Sequence, residues 1–122
     1  MSYPKLIALA NKLADATMYS VVTWKETETE GVFQISFSDN SVRIGERPSR
    51  NSYGQEEYVL SILNSEGDLV EELGDEDVAE DERARMFRAL KDMYETARRQ
   101  AKGVDQVLDE ILQELDDQMP PF

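Results

Sequence analysis

The stretch 77–102 constrains this chain most. Its apolar residues Phe87, Leu90, Tyr94, Ala97 and Ala101 recur in alternating steps of three and four, which places them on one stripe of an α-helix. Asp77, followed three residues later by Glu80, reads as a capping box at the helix start. Six acids fall in the eight residues from 75 to 82, and Arg98, Arg99 and Lys102 close the segment. Both ends therefore suit the helix macrodipole, and Gly103 supplies a C-terminal stop. Such a helix needs an apolar surface to cover, and the rest of the chain must provide it.

The surface is predicted to be a sheet. Residues 19–27 (YSVVTWKET) are rich in β-branched and aromatic types, the composition of a strand. Residues 32–38 alternate, with Phe33, Ile35 and Phe37 on one face and Gln34 and Ser36 on the other, so one face is buried and one is wet. Asp39-Asn40 is turn chemistry, and Val42 and Ile44 carry a short third strand. Residues 57–63 form a fourth strand and 69–73 a fifth, joined by a hairpin turn with Gly67 able to take positive φ. Trp24, the single tryptophan, is expected in the core.

Helices flank the strands. Pro4 sits in the first turn of a helix over 3–16, capped by Ser2 and striped by Leu6, Leu9, Leu13 and Thr17. Beyond Gly103, the residues Val104, Val107, Leu108, Ile111, Leu112 and Leu115 stripe a last helix whose other face is acidic. The segment 83–102 has seven bases against two acids, and 105–117 has six acids and no base. The two could fold back as an antiparallel pair. Together these readings predict a single α+β domain over 1–117: an N-terminal helix, an antiparallel meander of about five strands, and two C-terminal helices packed on one face of the sheet. Residues 118–122, with Pro120-Pro121, are expected to form a flexible tail.

Composition narrows the chemistry. The 122 residues include no cysteine and no histidine, so disulfides, thiolates, Ser-His dyads and the commonest metal ligand are excluded. The carboxylate pairs Glu56-Glu57, Glu71-Glu72 and Asp116-Asp117 are adjacent in sequence. On a strand such neighbours diverge to opposite faces, whereas a glycosidase needs two carboxyls converging. The acidic run 75–82 lacks the ligand spacing of an EF-hand loop, and no Gly-rich phosphate loop is present. No catalytic residue, cofactor or metal is expected. The net charge of −13 opposes direct nucleic-acid binding and anionic membranes and favours basic partners. The N-terminal apolar run, residues 6–10, is too short for a secretory signal, and a soluble cytoplasmic protein is expected.

The longest loop expected, 46–55 (ERPSRNSYGQ), holds Arg47, Arg50 and Tyr53, which makes these three the candidate partner-binding residues. The layout of helix, strands and helices at low pI is similar to that of small acidic secretion chaperones. With the missing catalytic constellation, the high negative charge and amphipathic helices at both ends available for dimer or partner contacts, it points to a non-enzymatic protein-interaction module, an adaptor, chaperone-like factor or inhibitor, whose partner is a basic protein or a second copy of the chain. Two alternatives stand beside it: a DNA-mimic inhibitor of a basic nucleic-acid-binding protein, and a small-ligand domain or histidine-free enzyme.

Overall fold

A computed structural model describes residues 3–49 and 54–120. The element order is α1 (Tyr3–Met18), β1 (Lys25–Glu26), β2 (Phe33–Ser36), β3 (Ser41–Pro48), β4 (Glu56–Leu63), β5 (Leu69–Gly74), α2 (Arg83–Lys102) and α3 (Val104–Gln118), with two short 3-10 turns, Asp75–Asp77 and Glu80–Glu82, ahead of α2. The strands form one sheet in sequence order, each antiparallel to the next. The fold is α+β, with the N-terminal helix, five-stranded meander and two C-terminal helices that the period changes imply.

The core lies between the sheet and the helices α1 and α2. Leu6, Ala10 and Leu13 of α1 and Met86, Leu90, Met93 and Ala97 of α2 meet Phe33, Ile35, Val42, Ile44, Leu60 and Leu73 from the strands. The strand residues come from alternate positions, as the pleat requires. Tyr94 packs between Phe33 and Tyr58, with ring centroids at 5.6 and 5.2 Å, and Phe87 lies 5.6 Å from Tyr58. The buried face of α2 is broader than the stripe read from sequence, because Met86 and Met93 turn inward as well.

Three local readings differ from the sequence. The strand expected over 19–27 shrinks to Lys25–Glu26. Helix α1 runs on to Met18 and closes in a turn at Ser20 with φ 59°, where Val21 N–H donates to Ala16 C=O. The Trp24 amide then donates to Gln100 Oε1 at 3.0 Å, and its indole N–H donates to Thr17 Oγ1 at 3.0 Å. Those bonds tie Trp24 to the helices, so its backbone is not available to the sheet ladder. Trp24 is nonetheless in the core.

The capping box at Asp77 is also absent. Asp77 Oδ2 instead accepts from the Gly74 amide at 2.8 Å. Val78 is extended (φ −102°, ψ 170°) and buried. Putting that side chain in the core breaks the helical path, so α2 starts only at Arg83. At the other end Gly103 adopts φ 64°, ψ 40° and donates to Arg99 and Gln100 C=O, the left-handed stop expected of glycine. Third, β3 and β4 extend further than expected, which leaves 49–55 as the connection in place of 46–55.

Helix α3 begins directly after Gly103 and is attached chiefly to α2. It does not fold back to cover its stripe. None of its residues is buried, and every residue from 105 to 120 is exposed.

Candidate protein-interaction surface

Arg47 stands on β3 directly opposite Glu57 of β4. The alternation that sends Val42 and Ile44 into the core sends Arg43 and Arg47 to the other face of the sheet. There Arg47 Nε donates to Glu57 Oε1 at 2.9 Å, and Nη1 to Glu72 Oε1 on β5 at 3.2 Å. One guanidinium thus joins three strands. Its pKa is raised, first by the bond to Glu57. The Glu57 side chain is only 1% exposed and that of Arg47 34%. Glu56 is exposed, so this adjacent pair diverges as expected.

The network continues along the start of the 3-10 turn. Ser49 Oγ donates to Glu76 Oε1 at 2.6 Å. A Cβ on Gly74 would lie 2.6 Å from Glu57 Oε2, so glycine permits this close approach. Asp75 Oδ1 is buried without a hydrogen bond, and burial, then the nearby carboxylates led by Glu57, push its pKa up. Of the three residues singled out from sequence, Arg47 belongs to this network, while Arg50 and Tyr53 lie outside the described residues. The arrangement holds β3, β4 and β5 together at the base of the 49–55 connection. Its contacts are those of a structural ion-pair network.

A second arginine network lies nearer the sheet edge. Arg43 Nε donates to Gln34 Oε1 at 2.7 Å, and Nη1 pairs with Glu28 at 3.0 Å. These residues help line an open depression of about 740 Å³ with Val21, Ile35 and Phe37. Of the charged groups that line it, Arg43 pairs with Glu28, and Glu26 accepts an ion pair at 2.6 Å from Lys102, which reaches in from α2. Among the described residues, no group of three or more His, Cys, Asp or Glu side chains is placed to hold a metal ion.

Helix α3 presents a different kind of surface. Val107, Leu108, Ile111, Leu112 and Leu115, with Met119 just beyond, form one apolar arc, and these side chains are 46–63% exposed. Single exposed apolar residues are ordinary, but a contiguous patch marks a contact site. The rest of the helix surface carries Asp105, Asp109, Glu110, Glu114, Asp116 and Asp117 with no base. An ion pair at the corner, Arg99 with Asp105 at 3.0 Å, links the helix to α2. The sequence shows this stripe and allows two readings of it, packed on the sheet or available to a partner. The local pattern holds no signal that decides between the two.

Comparison with protein-family models, with curated proteins and with solved structures finds no match to this chain. Among the described residues, no helix is long and apolar enough to cross a membrane.

Proposed function

We propose that this chain is a non-enzymatic protein-interaction module that docks through α3 and acts in the cytoplasm. One observation carries the reading: a 15-residue amphipathic helix none of whose residues is buried. An isolated helix of this length is marginal in water. Two of its i,i+4 pairs, Asp105 with Asp109 and Glu110 with Glu114, join like charges, and Asp116 and Asp117 oppose the macrodipole at its C-terminal end. A partner covering the apolar arc supplies the packing that the helix lacks. This is the helix-in-groove mode of recognition, anchored at i, i+3, i+4 and i+7.

The reading moves the docking element away from Arg47, whose guanidinium is already engaged by Glu57 and Glu72. The test is recovery of native-cell partners on the tagged chain and on a Leu108→Gln, Ile111→Gln double variant. Glutamine preserves helix propensity and adds no charge. Partners retained by the parent and lost by the variant support the module. Identical recovery by both removes α3 as the docking element.

A further inference from the structure

The charges bordering the apolar arc indicate what covers it. Viewed down α3, Glu114 and Glu110 follow one edge of the arc, and Asp105 and Asp116 follow the other, from their helical positions. With no base among residues 104–118, both borders are anionic. A second copy of α3 laid against the first would bring carboxylates against carboxylates along the whole contact, and like charges facing each other at an interface are strongly unfavourable. An anionic membrane surface meets the same repulsion, since amphipathic helices that bind such surfaces carry Lys and Arg.

Resting on the reading of α3 as a docking helix, we propose that its partner is a different protein, whose surface has an apolar strip rimmed by Lys and Arg, and not a second α3. Cationic rims would relieve the Asp105/Asp109 and Glu110/Glu114 repulsions and screen the acids at the C-terminal end. Among the described residues, Arg99 at the corner is the one base in an ion pair with an α3 carboxylate; Glu110 and Asp117 accept only from the neutral amides of Gln106 and Gln113, so the negative charge of both borders is left to a partner.

The probes are two synthetic helix-forming peptides with the same Leu/Ile stripe, one bordered by Lys and the other by Glu. Each is titrated by fluorescence anisotropy with the full chain at low and high salt, alongside light scattering of the chain alone. The expected result is a monomer that binds the Lys-bordered peptide at least ~10-fold tighter than the Glu-bordered one at low salt, with the preference shrinking at high salt. The Leu108→Gln, Ile111→Gln variant should lose at least ~10-fold. Glu110→Lys with Glu114→Lys should reverse the peptide preference.

Equal affinity for both peptides, binding that survives loss of the stripe, or no binding at all overturns the proposal. A dimer abolished by the glutamine variant also overturns it, because the occupant is then a second copy, while the docking role of α3 stands. A monomer that binds neither peptide, and whose glutamine variant recovers the parent's cellular partners, removes both readings.

Discussion

Removing Arg47 should unfold this domain more readily than removing any exposed base. Arg47→Met keeps most of the aliphatic stem and deletes the guanidinium that faces Glu57 at 2.9 Å and Glu72 at 3.2 Å. Glu57 is 1% exposed, so its carboxylate cannot recover that interaction from bulk water. Breaking a fully buried ion pair costs about 3–5 kcal/mol. Here the arginine side chain is 34% exposed, so water reaches part of the site and the expected loss is about 2–3 kcal/mol. Arg85→Ala is the contrast, because its pair with Glu82 spans 3.9 Å between exposed side chains and should cost less than ~0.5 kcal/mol. Urea unfolding followed by circular dichroism reads both losses, with an unchanged slope confirming that the native fold is retained. Adding Glu57→Gln to Arg47→Met should restore part of the stability, since the buried charge goes with its partner. An Arg47→Met midpoint within ~0.5 kcal/mol of the parent would refute the network as a structural element and return Arg47 to the role of a binding residue.

Other sites give separable outcomes. Thr17→Val leaves the Trp24 indole N–H, otherwise bonded at 3.0 Å, buried without that acceptor, and should cost about 1–3 kcal/mol in the same unfolding assay. Asp75 is held above its ordinary value, first by burial. A carboxyl raised on folding adds stability below its unfolded value and loses it as pH rises through the folded value. Asp75→Asn should therefore exceed the parent in stability at neutral pH, and the gap should close as pH falls towards 3.8; a gap that widens on acidification would contradict the burial argument. Gly74→Ala should destabilise by about 1–3 kcal/mol, because its Cβ would press on the anchored Glu57 carboxylate at 2.6 Å; a neutral result would mean that Glu57 moves freely.

The fold was legible wherever the hydrophobic period was unopposed. Alternation at Phe33 and Ile35, the β4–β5 hairpin, the α2 stripe and the Gly103 stop all follow from local pattern. What sequence missed turns on tertiary contacts that local pattern does not contain. Strand propensity at 19–27 lost to the bonds that draw Trp24 towards Thr17 and Gln100. The capping box lost to burial of Val78. Arg47 looked like a free loop cation because its two partners lie 10 and 25 residues away in the chain. The apolar positions of α3 were readable, but whether the chain covers them is a matter of packing, and amphipathicity alone predicts that a face is buried without naming against what.

The most direct measurement is the urea midpoint of the Leu108→Gln, Ile111→Gln variant. Each fully buried Leu or Ile side chain contributes about 1.5–3 kcal/mol, so two polar replacements in a core would cost several kcal/mol. If the α3 arc is uncovered in the free chain, the variant should unfold within ~0.5 kcal/mol of the parent. A loss of several kcal/mol would mean that the chain buries this stripe itself, and that α3 is part of the core and not a docking helix.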